Sequence, residues 1–207
     1  MRIERVEALD RRKSKVFTDG DFAFLLYNGE LEKYGIYEGA ILEQGNFRQI
    51  EELLKGRARE RAYNLLKVQD RTEEEIRRRL LQDGYPGQVV QETMRFLQEY
   101  RLIDDARYAL NYLQLHGKRK SRAELAFYLQ RKGIPREVVR SQMETSGQDS
   151  GEAIRALLRK KHYIAGQTPR DQKNKIVAYL MRRGFSWEDI RREMDCMDDG
   201  SGELPLK

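Results

Sequence analysis

The residues with most chemistry to offer are basic and clustered. "HGKRKSRAEL" sets Lys118, Arg119, Lys120 and Arg122 in a loop and the first turn of a helix. "LQRKGIPREVVR" adds Arg131, Lys132, Arg136 and Arg140, and further on come Arg159, Lys160, Lys161, Arg170, Lys173, Lys175, Arg182 and Arg183. Cations at a helix amino terminus oppose the helix dipole, so residues 118–122 are a poor choice for stability alone. Such a surface meets phosphate or carboxylate groups through charge rather than covalent chemistry. Arg77, Arg78 and Arg79 differ, because they come after glutamates at 73–75 and i,i+4 pairing satisfies them.

Groups suited to catalysis are sparse. There is no G-x-x-x-x-G-K-[ST] phosphate loop and no G-x-S-x-G elbow. His116 and His162 lack metal-ligand spacing and read as surface or hinge histidines. Asp104 and Asp105 have no third carboxylate at a helix-compatible distance, and aspartate is a common residue at a helix start. Cys196 is the only cysteine, which rules out an intrachain disulfide, and its acidic neighbours disfavour a thiolate nucleophile. The expectation is a protein that is not an enzyme and uses no cofactor or metal.

Composition points the same way. Hydrophobic residues are 39% and charged residues 36% of the 207, too polar for one deep core and suited to a helical body with much solvated surface. Forty Lys+Arg against 34 Asp+Glu leave a net charge of +6, which favours a polyanionic partner. The opening "MRIERVEALD" has no signal-peptide core, and no run reaches the roughly 20 apolar residues needed to cross a bilayer. A cytoplasmic, monomeric protein away from membranes is expected.

The elements that position the basic residues emerge from periodicity. "KVFTDGDFAFLLY" puts Asp19 and Gly20 between two apolar runs, a hairpin signal with a type I′ turn, and "RIERVEAL" supplies a third strand. "ELEKYGIYEGAIL" reads as a short helical turn and then an extended segment. Three strands are marginal alone, so this extension should lean on the helices after it. Asn46 with Gln49 resembles a capping box, after which Ile50, Leu53, Leu54, Ala58, Ala62, Leu65 and Leu66 form one helical stripe.

Beyond this stripe the pattern recurs. Gly84, Gly133 and Gly184 lie 49 and 51 residues apart. Eight residues before them stand Ile76, Leu125 and Ile176, and four before them Leu80, Leu129 and Leu180. Immediately after come Tyr85, Ile134 and Phe185, then Val90, Val139 and Ile190 at six residues, and Met94, Met143 and Met194 at ten. Agreement at fixed offsets is an internal repeat, and the methionines read as core. Thr72 with Glu75, and Ser121 with Glu124, cap the second helix of the first two copies. The third has Gln172 and Lys175 there, while Thr168 and Pro169 offer a start four residues earlier, predicting a helix one turn longer. Pro135 suits the first turn of a third helix, Ser186 its cap, and Pro86 with Gly87 a similar turn.

The segments "RTEEEIRRRLLQDGY", "LIDDARYALNYL" and "SRAELAFYLQRKGIPREVV" together resemble the RecX family of regulatory proteins, and "FTDGDFAFLL" is similar to the amino-terminal β-extension of some members. The resemblance runs from about residue 11 to 195, with the middle repeat its most specific part. It implies a negative regulator of recombination and repair that lodges in the helical groove of the RecA–single-stranded-DNA filament and suppresses ATPase, strand-exchange and co-protease activities. It also implies direct DNA binding, single-stranded or duplex, which for a surface of this kind is weak and salt-dependent. A stand-alone DNA binder built from helix–turn–helix-like repeats is the alternative reading.

The expected architecture is mainly α: an elongated tandem array of three three-helix repeats with a small β-rich amino-terminal extension. Its segments are the extension at 1–45, repeats at 46–101, 102–146 and 147–196, and a flexible acidic tail at 197–207. The residues expected to meet RecA or DNA are Lys118, Arg119, Lys120, Arg122, Arg131, Lys132, Arg136, Arg140, Lys160, Lys161, Lys173, Lys175, Arg182 and Arg183.

Overall fold

A computed structural model of the chain describes residues 1–19, 21–147 and 149–198. The type I′ turn expected at Gly20 and residues 199–207 of the expected acidic tail fall outside them, whereas Met197 and Asp198, also assigned to that tail, belong to the last helix. The chain divides into two compact units, Met1–Asp104 and Asp105–Lys207.

The first unit opens with the expected three strands, β1 (Ile3–Ala8), β2 (Lys13–Thr18) and β3 (Asp21–Tyr27), antiparallel in the order β1-β2-β3. Their register sets Val6 opposite Val16 and Val16 opposite Phe24. Alternation along β2 buries Ser14, Val16 and Thr18. Helix α1 (Asn28–Tyr34) stops at Gly35, whose φ of +64° only glycine takes without strain. The chain then returns to β1, where the Ile3 N–H donates to the Ala40 carbonyl at 2.8 Å.

Three longer helices complete this unit: α2 (Gln44–Val68), α3 (Glu73–Gln82) and α4 (Gly87–Glu99). Ile50, Leu54, Ala58 and Ala62 form the buried stripe of α2. It shares one apolar cluster with Ile76, Leu80, Val89, Val90, Met94 and Leu97 of the helices and with Ile3, Val16, Phe24 and Leu26 of the strands. The extension therefore completes its core on the first repeat. Asn46 does not cap α2, which starts earlier with Glu43 flanking it. Its amide instead donates to the Tyr34 carbonyl at 3.3 Å, tying α2 to the end of α1.

The second unit holds α5 (Asp105–His116), α6 (Arg122–Arg131), α7 (Arg136–Thr145), α8 (Gly151–Lys160), α9 (Arg170–Arg182) and α10 (Trp187–Asp198). Leu125, Leu129, Ile134, Val139 and Met143 centre one cluster; Ile176, Leu180, Phe185, Ile190 and Met194 centre another. The repeat positions thus line the interior of their own copy. Thr72 and Ser121 form the predicted capping boxes. At 13 residues, α9 exceeds the 10 of α3 and α6 by about a turn.

The repeated glycines end α3, α6 and α9 alike, at φ of +84°, +89° and +82°. In each copy the next N–H donates back to the leucine four residues before the glycine: Tyr85 to Leu80, Ile134 to Leu129, Phe185 to Leu180. This left-handed closure satisfies carbonyls the helix end would otherwise leave open. Pro86, Pro135 and Pro169 flank α4, α7 and α9 at φ near −57° rather than occupying the first helical position, because their carbonyls accept the first bonds of the helix. Ser186 caps α10 by accepting from the Asp189 N–H at 3.0 Å.

Candidate interaction surface

The basic residues singled out from the sequence divide into two kinds. Some are engaged inside the fold. Arg183, next to the Gly184 turn, directs Nε and an Nη onto Glu124 Oε1 at 3.2 and 2.9 Å. Its pKa rises above the ordinary arginine value because of Glu124 first and the Tyr179 hydroxyl second. The Ser121 hydroxyl donates to the Arg183 carbonyl at 2.7 Å while accepting from the Glu124 N–H at 3.1 Å. Arg183 therefore joins the second and third repeats.

Lys120 is held as well. Its Nζ donates to the Tyr112 hydroxyl at 2.6 Å and lies 5.1 and 5.4 Å from the ring centres of Tyr112 and Tyr128. Those rings stack at 4.2 Å and an interplanar angle of 6°, with Lys132 over Tyr128 and His116 against Tyr112. Burial first, then Lys120 and Arg119, lower the His116 pKa below its usual value of 6.5. Lys118 and Lys161 are exposed but partnered, Lys118 reaching Glu152 at 3.4 Å and Lys161 covering Tyr179 at 4.5 Å, while the half-buried Lys173 lies 3.8 Å from Asp198.

The second kind turns outward. Arg119, Arg122, Arg131, Arg136, Arg140, Lys160, Lys175 and Arg182 are exposed. Arg136 and Arg140 stand one turn apart on α7, so their guanidinium groups share a face. Arg131 lies 5.9 Å from the ring of Phe127, itself exposed. In the first repeat, Arg77 pairs with Glu73 and Arg78 with Glu74 as expected, while Arg79 turns to Asp83.

The charge is unevenly shared. Residues 1–104 carry 19 Lys+Arg against 20 Asp+Glu, whereas residues 105–207 carry 21 against 14. The second unit thus holds all of the net positive charge. No group of three or more His, Cys, Asp or Glu able to hold a metal occurs among the described residues. None of the described helices is long and apolar enough to cross a membrane. Asp105 is the first residue of α5, and Cys196 is exposed.

Two constellations escaped the sequence. The Tyr112–Tyr128 stack joins different helices, and the local signal that could have pointed to it is the i,i+4 spacing of its flanks, Tyr112 with His116 and Tyr128 with Lys132. Glu193 is buried at 3% exposure, paired to Arg155 of α8 and 3.5 Å from Arg192. A Cβ on Gly151 would lie 2.6 Å from its Oε1, so the glycine lets the carboxylate approach the start of α8.

Comparison with known proteins matches this architecture. A family model for the first three-helix domain of RecX matches residues 58–97, and one for its third three-helix domain matches residues 148–194. A regulatory protein RecX of Clostridium acetobutylicum is 25% identical over 197 residues, covering 91% of this chain and 92% of the relative. One of Vibrio vulnificus is 33% identical over 137 residues, 63% of this chain and 86% of the relative. A crystal structure of regulatory protein RecX superposes with a TM-score of 0.62 at 23% identity, covering 94% of this chain and 98% of that one. RecX from Lactobacillus salivarius gives a TM-score of 0.62 at 21% identity, covering 70% of this chain and 97% of that one. With three-helix domains matched at both ends of the helical region and a relative one-third identical over most of its own length, the chain belongs to the RecX family of regulatory proteins.

Proposed function

We propose that the chain is a negative regulator of the RecA recombinase, acting in homologous recombination and repair. It binds in the groove of the RecA–single-stranded-DNA filament and suppresses ATPase, strand exchange and co-protease activity. Family membership supports the target. The observation that carries the mode of contact is the concentration of positive charge in residues 105–207, with Arg119, Arg136 and Arg140 directed outward. Such a surface engages acidic filament side chains and DNA phosphates through charge, without reading sequence.

The test is the DNA-dependent ATPase of RecA. Substoichiometric protein depresses it, and Arg119→Glu/Arg136→Glu/Arg140→Glu weakens that inhibition with an unchanged helical circular-dichroism signal. Lys118 and Lys120 are unsuitable for this test, since their reversal would disturb Glu152 and the tyrosine stack. No inhibition at equimolar protein refutes the proposal. A second reading, DNA binding without RecA, draws on exposed Phe127 beside Arg131, a pairing suited to stacking a base next to a phosphate. A gel shift that weakens steeply with salt supports it.

A further inference from the structure

The turn at Gly184 is a seat for the neighbouring repeat. A Cβ there would stand 2.7 Å from the Ala123 Cβ and 3.1 Å from the Ser121 Oγ. The start of α6 rests directly on the glycine, fastened by Ser121 to the Arg183 carbonyl and by Glu124 to the Arg183 side chain. In this way the third copy receives the second. The first copy has no predecessor, yet its seat is filled: a Cβ on Gly84 would stand 2.1 Å from Leu25 Cδ1 and 2.9 Å from its Cγ. Leu25 belongs to β3, so the extension puts one apolar side chain where the third repeat receives a helix start.

At the other end of the series stands α9, in the third copy. Counted from the glycine, Gln172, Asn174 and Lys175 occupy the positions of Ser121, Ala123 and Glu124, and all three are exposed. The residue before the glycine is Asp83 in the first copy and Arg183 in the third. The two positions of the Glu124–Arg183 pair are thus occupied, with the charges exchanged, by Lys175 and Asp83. A second copy of the chain could bring these together, its α9 on the Gly84 turn of the first. Leu25 stands in the way, and Asp83 is already held by Arg61 at 2.7 Å and Arg79 at 3.1 Å.

We infer that the β-extension terminates the repeat series: it occupies the Gly84 seat and so prevents copies of the chain from joining head to tail. Sedimentation of the full chain at rising concentration tests this. The unaltered chain stays at the mass of one copy, whereas Leu25→Asp, which withdraws the plug and adds a charge complementary to Lys175, raises the weight-average mass at least about twofold. Adding Lys175→Glu returns the mass to one copy. Adding Gly84→Ala does the same, because a Cβ closes the seat to any occupant. Should Leu25→Asp lower the helical signal, Leu25→Ala shortens the plug without a charge and carries the same expectation. A folded Leu25 variant that remains monomeric overturns the inference; so does association of the unaltered chain, or association that survives Lys175→Glu.

Discussion

Replacing Ser121 by alanine separates a helix cap from a joint between repeats. The Ser121 side chain is fully buried, and its hydroxyl performs two tasks: it accepts from the Glu124 N–H, which caps α6, and donates to the Arg183 carbonyl, which fastens the third repeat. A hydroxyl has one proton and two lone pairs, so both bonds form together. Losing the cap costs about 1 kcal/mol. Leaving a partly buried carbonyl without its donor costs about 1 kcal/mol more, at the low end of the penalty for an unsatisfied group. Ser186→Ala supplies the comparison, because Ser186 caps α10 at an exposed position by accepting from the Asp189 N–H. Its loss is expected at about 0.5–1 kcal/mol. Urea unfolding, monitored by circular dichroism and by fluorescence of Trp187, should therefore show Ser121→Ala less stable than Ser186→Ala by about 1 kcal/mol or more. Equal losses would refute the argument that Ser121 fastens the two repeats.

Other substitutions test neighbouring claims. Gly184→Ala forces a left-handed backbone on alanine, at about 1–2 kcal/mol, and adds a Cβ 2.7 Å from that of Ala123; Gly35→Ala at φ +64° meets open space. Thermal unfolding should show the larger loss at Gly184, and similar losses would mean that the seat is not closely packed. Glu30 gives a pH dependence: burial raises its pKa, but the Arg57 guanidinium and the Tyr27 N–H outweigh this and hold it below the ordinary value of 4.5. A depressed carboxyl contributes stability that is complete above the ordinary value and lost as pH falls through the lowered one. Melts of the wild type and Glu30→Gln should keep a constant gap above pH 4.5 and converge below it; a gap that widens in acid contradicts the pairing.

Much of this architecture was legible because helices bury residues at regular intervals. The offsets of Ile76, Leu80, Val90 and Met94 from Gly84 marked the interior of the first repeat, and the same offsets worked in the other two. Chain punctuation was legible too: Thr168 and Pro169 announced the longer α9. Asn46 misled because an amide that can cap a helix can also bond a distant carbonyl, and here Tyr34 supplies one. The basic residues were harder to sort. Arg183 reads as another exposed cation until Glu124, 59 residues away, is brought beside it. Lys120 reads as part of a basic loop until Tyr112 and Tyr128 converge beneath it. Charge along a chain reports how many cations exist, whereas which of them remain open to a partner depends on contacts distant in sequence.

The separate apolar clusters of α5–α7 and α8–α10 make damage local. Leu129 lies in one and Leu180 in the other, so trimming either opens a void that the remaining cluster does not border. Losses at two such sites sum nearly independently. Because each trio of helices closes over short stretches of chain, it can also form early and quickly, before its neighbours are in place.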